Sequence, residues 1–254
     1  MVYVGGTDPG CFIPLMLNET GDGEPHIMFT QNALADPSYL DYLSFLYGDQ
    51  MTVPASAVLP NEPSQVLPGE DDHVQVSAAV AEMLINEQLL QRLMNLNPSV
   101  AFALEESFPF KSTYAQAAPL GPVMELGVAS QNALTPETAG QTVGFWQDTT
   151  DQLLADPEAS GSSTALNAYA KMMVAQANLL VNHDFSNEAE QTFQLADELA
   201  PGNPGVVFNY VQFLMKQDRI TDALQVTADA LSAAPGVQQF ESLNQALQGA
   251  ASRR

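Results

Sequence analysis

The C-terminal half of the chain repeats after 34 residues, and this period restricts the fold more than any other feature. In the first copy, the four marked positions hold Ala189, Phe193, Ala196 and Pro201. In the second copy, they hold Ala223, Thr227, Ala230 and Pro235. A period of this length, with small, aromatic, small and proline residues, is typical of tetratricopeptide repeats, in which each unit is a pair of helices. Only Thr227 departs from the pattern, at the aromatic position.

Packing explains why these residue types recur. Small alanines let the second helix of a pair approach the first closely, and proline ends that helix. The apolar positions of the preceding helices repeat as well, as Met173, Ala177 and Leu180 and then as Val207, Val211 and Leu214. We therefore predict tetratricopeptide-like repeats at about 170–203 and 204–237. Two ordinary helical hairpins are the alternative interpretation.

Two further helices are expected around these repeats. Thr135 followed by Pro136 predicts a helix start, because threonine caps helices and proline fits their first turn. Residues 236–248 predict a capping helix, whose inner face carries Phe240, Leu243 and Leu247. We therefore assign residues 136–254 to a helical domain.

The N-terminal half instead alternates short strands with helices. Residues 2–4 and 26–30 are rich in strand-forming residues, and a helix is predicted over Pro37–Leu46 with Asp36 as its cap. A strand, a crossover and a second strand favour a parallel pair. Residues 1–130 are therefore expected to form an α/β domain.

The rest of that domain is less regular in the sequence. Four prolines in residues 49–73 predict a proline-rich excursion, and residues 74–96 predict an amphipathic helix. We interpret residues 98–128 as irregular apart from a strand over Met124–Val128. The predicted fold class is mixed α+β: a small N-terminal α/β unit with parallel strands, followed by a helical, tetratricopeptide-like half.

The charge balance argues against two classes of partner. Seven Lys and Arg stand against 30 Asp and Glu, which gives a formal net charge of −23. Such a surface repels phosphate backbones and anionic lipid, so we expect no nucleic-acid partner. The chain has no apolar run of about 18 residues that would span a membrane. It opens directly on a strand, which favours its being one domain of a longer protein.

Polar side chains follow both predicted N-terminal strands. The first strand runs into the turn GGTDPG, and the second ends at TQNALAD. Because the carboxyl ends of parallel strands meet at one edge of a sheet, where α/β proteins bind ligands, we expect these side chains to converge. The candidate ligand-binding residues are Thr7, Asp8, Gln31, Asn32 and Asp36. They suit a sugar, a metal or a polar acceptor group, and turn formation and helix capping are the alternative roles.

Familiar catalytic and cofactor patterns do not occur in the sequence. One cysteine, Cys11, and three scattered histidines, His26, His73 and His183, provide no zinc-ligand spacing. The glycine turn lacks the lysine of a nucleotide-binding loop and the third glycine of a dinucleotide fingerprint. We therefore predict no catalytic residue, no metal site and no cofactor. Asn18-Glu19-Thr20 matches a glycosylation sequon, which is too short a pattern to carry weight.

Four segments resemble one known family. They are VYVGGTDPGCFIPLMLNET (2–20), HIMFTQNALADPSYLDYL (26–43), FPFKSTYAQAAPLGPVMEL (108–126) and QNALTPE (131–137). In this order they resemble the soluble C-terminal region of a bacterial membrane family that is similar to protein O-mannosyltransferases. One position departs: Cys11 stands where the family turn usually has arginine, so an anion-binding role of that arginine would not carry over.

The resemblance implies a function for the chain as well as a location. Family members use a polyprenyl-phosphate sugar, and their catalytic acid lies in a loop between membrane helices that this chain does not contain. The chain would then be an extracytoplasmic accessory domain, on the outer face of the bacterial inner membrane. It would position an acceptor or support the transmembrane portion of the same protein, which becomes its expected partner.

Two other functions remain open from the sequence. The 34-residue period also fits a stand-alone tetratricopeptide-type module that binds a peptide or protein without catalysis. A soluble enzyme that uses Asp8, Asn32 and Asp36 is the least favoured, because no acid–base pair or nucleophile stands out.

Overall fold

A computed structural model describes residues 1–6, 26–55, 78–105, 116–128 and 134–252, together with residues 16, 18, 20 and 21. The chain divides into two compact units. The first unit comprises Met1–Gln116 and Glu125–Val128, and the second comprises Ala117–Met124 and Ala129–Arg254. Residues 117–124, from the end of the predicted α/β domain, are therefore grouped with the helices.

Parallel strands form the centre of the first unit. Strand β1 (Val2–Gly5) pairs in parallel with β2 (Ile27–Thr30) on one side and with β3 (Phe102–Leu104) on the other. The predicted parallel pairing of the first two strands is confirmed. Strands β4 (Ala117–Leu120) and β5 (Val123–Leu126) complete a five-stranded sheet with the order β2-β1-β3-β5-β4.

The interpretation of residues 98–128 as mostly irregular is wrong, because β3, β4 and β5 all lie there. β3 contains only three residues, all buried, and its hydrogen-bonding partner β1 lies at the other end of the unit's sequence. No local alternation of polar and apolar residues marks so short a buried strand. Its existence therefore depends on pairing with a distant segment.

Two helices accompany these strands. Helix α1 (Pro37–Tyr47) begins as predicted, and the Asp36 carboxylate accepts the backbone N–H of Ser38 at 2.8 Å. Helix α2 (Ala78–Leu96) occupies most of the predicted range, while residues 74–77 lie outside the described part of the chain. Of the predicted excursion at 49–73, residues 56–73 also lie outside it.

The second unit is dominated by helices. Its helices are α3 (Pro136–Ala155), α4 (Pro157–Ser160), α5 (Ser163–Asn182), α6 (Ser186–Leu199), α7 (Pro204–Lys216), α8 (Ile220–Ala233) and α9 (Gln238–Ala251). Thr135 caps α3 as predicted, since its Oγ1 accepts the N–H of Thr138 at 3.2 Å. The last helix begins two residues later than predicted and extends three residues further.

The backbone itself recurs after 34 residues. α6 and α8 each contain 14 residues, and the residues just before them, Asp184 and Asp218, have left-handed φ angles of 65° and 68°. Gly202 and Gly236, which precede α7 and α9, have φ angles of 77° and 93°. Equivalent turns therefore join equivalent helices, and the period is a property of the fold as well as of the sequence.

The repeated apolar positions form the core of this unit. All six residues predicted to line the first helix of each pair are buried, together with the four repeated alanines and Phe193. Thr227, the departing position, is also fully buried, and its Oγ1 donates to the carbonyl of Ala223 at 2.8 Å. A hydroxyl is therefore accommodated there by bonding back to its own helix.

A buried amide joins α3, α5 and the β4–β5 turn. Gln176 of α5 is 1% exposed, and its Oε1 accepts the indole N–H of Trp146 at 2.9 Å. Its Nε2 donates to the carbonyls of Gly121 at 2.7 Å and Val123 at 2.9 Å. Three hydrogen bonds thus satisfy one side chain and fix three segments of the second unit to each other.

Candidate functional site

The carboxyl ends of β1, β2 and β3 lie side by side, because all three strands run in the same direction. The Thr30 hydroxyl at the end of β2 donates to the carbonyl of Gly6, just after β1, at 2.7 Å. On the other side of β1, the N–H of Glu105 donates to the carbonyl of Val4 at 3.2 Å. The residues that follow β2 and β3 therefore flank the glycine end of β1.

Gln31 is the most unusual residue at this edge. It begins the 3-10 turn Gln31–Ala33 directly after β2, and its side chain is 5% exposed. Within the described residues, its Oε1 has no hydrogen-bond partner. Most buried polar atoms in folded proteins have one, so an unpaired oxygen here requires an explanation.

The turn that carries Gln31 is held by α2. The buried side chain of Asn86 accepts the N–H of Ala35 at 2.7 Å and donates to the carbonyl of Asn32 at 3.4 Å. A side chain that satisfies two backbone groups of one turn restricts its conformation. Asn86 is thus a positioning residue for the edge.

The predicted site residues have different fates. Thr7 and Asp8 lie outside the described residues. Gln31 is buried at the edge, Asn32 is exposed in the turn beside it, and Asp36 caps α1. The capping alternative therefore describes what Asp36 does in this fold.

Sequence reasoning missed Glu105. Its side chain is 8% exposed and it directly follows β3. The same signal that selected Gln31, a short apolar run followed by a polar residue, is present in the sequence VAFALE over residues 100–105. It was not selected because so short a run did not predict a strand.

Two other singled-out residues have structural roles. Asn18, of the sequon, accepts the N–H of His26 at 2.7 Å and donates to the carbonyl of His26 at 3.0 Å. The pair fixes the entry to β2. His183 closes the end of α5, where its N–H donates to the carbonyls of Leu179 and Leu180. Cys11 and His73 lie outside the described residues.

The second unit contains an open apolar groove between α7 and α9, with a volume of about 450 Å³. It is lined by Phe208, Asn209, Val211, Gln212, Met215, Leu243, Ala246, Leu247 and Ala250. No charged side chain belongs to this lining. At one margin, Asn178 of α5 donates its side-chain N–H to Oδ1 of Asn209 at 3.0 Å, which ties the groove to the preceding helix pair.

Acidic groups surround one of the few cations of the second unit. The Arg219 guanidinium contacts a Glu190 oxygen and an Asp222 oxygen, each at 2.6 Å, and these hydrogen bonds raise its pKa above the ordinary value. Burial, and then the nearby charge of Asp229, raise the pKa of the Asp197 carboxyl. Glu190 and Arg219 connect α6 to the start of α8, so this ion pair spans the two repeated hairpins.

The described residues contain no group of three or more His, Cys, Asp or Glu side chains that could hold a metal ion. Within the same residues, no helix is both long and apolar enough to cross a bilayer. Comparison with known proteins gives no family: no protein-family model matches the sequence, and no curated protein matches it significantly.

Proposed function

We propose that this chain is an extracytoplasmic accessory domain of a membrane glycosyltransferase-like protein, and that its helical unit binds a polypeptide segment. The transmembrane portion of that protein would be its partner and would carry out the transfer from a polyprenyl-phosphate sugar. The accessory domain would hold the acceptor polypeptide or support the membrane part. The single observation that carries the binding role is the open apolar groove between α7 and α9.

We further propose that the helical unit is tetratricopeptide-like. The support is the 34-residue recurrence of the buried alanines, of the left-handed residues Asp184 and Asp218, and of Gly202 and Gly236. Arrays of such helix pairs present extended surfaces to peptides. The glycosyltransferase part of the proposal has a different support, which is the resemblance of the segments VYVGGTDPG and TQNALAD.

The groove has the chemistry of a polypeptide site. Its apolar lining would receive aliphatic or aromatic side chains, while Asn209 and Gln212 can hydrogen-bond to the backbone of a bound segment. Phe208 remains 37% exposed in the absence of a partner. Since the chain carries a formal charge of −23, a segment with lysines or arginines beside its apolar residues would be favoured.

Peptide selection on the full chain tests the binding role. A random peptide library should yield binders with apolar and basic residues, and Ala246→Arg should abolish their binding, because Ala246 is an exposed residue of the groove lining. The matched control is Ala228→Arg, the same change at an exposed alanine of α8 that is not part of the lining. Equal binding by the two variants would contradict the proposal.

The stand-alone module is the second candidate, and the same groove supports it. The two differ in what the gene encodes upstream of Met1. Membrane-spanning segments in the same reading frame are expected for the accessory domain. An in-frame stop codon with no such segment would favour the stand-alone module.

A further inference from the structure

We propose that the carboxyl edge of β1, β2 and β3 is a separate binding site, which takes a small neutral ligand rich in hydroxyl groups. The site consists of the Gln31 carboxamide, the Glu105 carboxylate and the glycine end of β1. It lies in the first unit and is independent of the groove between α7 and α9. Nothing in the polypeptide-binding role requires it.

The strand order selects this edge. The chain runs from β1 to β2 on one side and then crosses to β3 on the other side of β1. Such a reversal is a topological switch point, and open parallel sheets bind ligands at the carboxyl ends of the strands beside it. Because β1 ends in Gly5 and Gly6, it contributes no side chain there.

The unpaired oxygen of Gln31 provides an independent observation. The carboxamide is 5% exposed, and its Oε1 has no partner among the described residues. Leucine at this position would avoid the penalty of a buried, unpaired polar atom. A glutamine held in this state by a turn that Asn86 fixes is explained if a ligand supplies the missing hydrogen bond.

The spacing and the chemistry define the ligand class. β2 and β3 are second neighbours in the sheet, so Gln31 and Glu105 are attached to strands about 10 Å apart. A hexose-sized molecule spans that distance. A hydroxyl group can donate to a carboxylate and can either donate to or accept from a carboxamide, so it satisfies both side chains.

Charge excludes the common anionic alternatives. Arg92, exposed on α2, is the only lysine or arginine among the described residues of the first unit. A phosphorylated ligand would meet the Glu105 carboxylate with no described cation to compensate. The ligand is therefore neutral.

Titration of the isotopically labelled full chain with glucose, galactose and mannose tests the site. We expect at least one hexose to shift the backbone amide resonances of Gly5 and Gly6 with saturation. Gln31→Leu should weaken that affinity about tenfold while leaving the melting temperature unchanged or higher, because no protein hydrogen bond is lost. Glucose 6-phosphate, which carries the same hydroxyls with a charge, should bind more weakly than glucose.

The control is Gln50→Leu, which makes the same change at an exposed glutamine of the same unit and should leave affinity unchanged. Glu105→Gln provides a second variant if Gln31→Leu does not fold, and it should also weaken binding about tenfold. The absence of a saturable shift with all three hexoses overturns the proposal. Affinity that is unchanged in a folded Gln31→Leu or Glu105→Gln variant overturns it as well.

Discussion

Replacement of Gln176 by leucine should destabilise the helical unit by about 3 kcal/mol, because it removes three hydrogen bonds from a buried site. The two side chains have similar size, so the change tests the polar network and not the packing. The indole N–H of Trp146 loses its acceptor, and Trp146 is 0% exposed. The carbonyls of Gly121 and Val123 lose their donor.

The magnitude follows from unequal contributions. Three hydrogen bonds at about 1 kcal/mol each give roughly 3 kcal/mol, and the stranded indole N–H adds about 1–3 kcal/mol. Water can solvate the carbonyl of Gly121, which is exposed, and the more apolar leucine returns roughly 1–2 kcal/mol. The net loss of about 3 kcal/mol corresponds to a decrease in Tm of roughly 6–12 °C.

Urea unfolding followed by tryptophan fluorescence measures this loss, since Trp146 is the only tryptophan and reports on the helical unit. Gln191→Leu is the control: Gln191 is an exposed glutamine of α6, and its replacement should change stability by less than about 0.5 kcal/mol. In a Trp146→Phe background, followed by circular dichroism, Gln176→Leu should cost at least about 1 kcal/mol less. A loss below about 1 kcal/mol in the parent, or an equal loss in both backgrounds, would refute the reasoning.

Two further variants test the repeated turns and the acidic surface. Gly202→Ala should cost about 2–3 kcal/mol, because φ is 77° and the new Cβ would lie 2.9 Å from the Cβ of Ala234. Gly236→Ala, with φ of 93° and open space around its Cβ, should cost only about 1–2 kcal/mol, and equal losses in urea unfolding would contradict this account. For Asp197, the raised pKa means that the folded protein binds the proton more tightly than the unfolded chain, so stability falls as pH rises from about 3.8 through the folded pKa. Asp197→Asn should remove that slope and add about 0.5 kcal/mol at pH 7; a parallel pH–stability curve for parent and variant would be the contrary result.

Features that depend on neighbouring residues are predictable from this sequence. Asp36 and Thr135 cap α1 and α3 as predicted, because a capping bond reaches only two or three residues along the chain. The repeated alanines identify the helix pairs for a similar reason, since close helix packing recurs locally in each copy. Asp184 and Asp218 carry the same period, and adding them to the pattern would have located the hairpin turns.

Features that depend on distant residues are not predictable in this way. Gln176 meets Trp146 from another helix and Gly121 from a strand turn, so nothing adjacent to it in sequence marks it as a buried network. Glu105 is at the candidate edge only because β3 pairs with β1. In the candidate site, sequence reasoning selected Gln31 from the second strand but had no means of selecting its counterpart on the third.

The departure at Thr227 alters how the last helix is held. At the first junction, Phe193 of α6 has its ring 5.6 Å from that of Tyr210 and 5.4 Å from that of Phe213, both of α7. After 34 residues, the equivalent positions at the junction of α8 and α9 are occupied by Thr227, Asn244 and Leu247. Three aromatic rings are thus replaced by smaller side chains, and each aromatic pair lost removes about 0.5–1.5 kcal/mol of interaction.

α9 is therefore fixed to α8 by weaker contacts than those that fix α7 to α6. Its other contact is with α7, where the rings of Phe208 and Phe240 lie 6.1 Å apart beside the groove. A ligand that binds only the folded arrangement stabilises it in proportion to its affinity. A segment bound between α7 and α9 would add contacts to the helix that has the fewest aromatic ones. The position where the second repeat loses its aromatic residue is thus also the position where binding would stabilise the fold most.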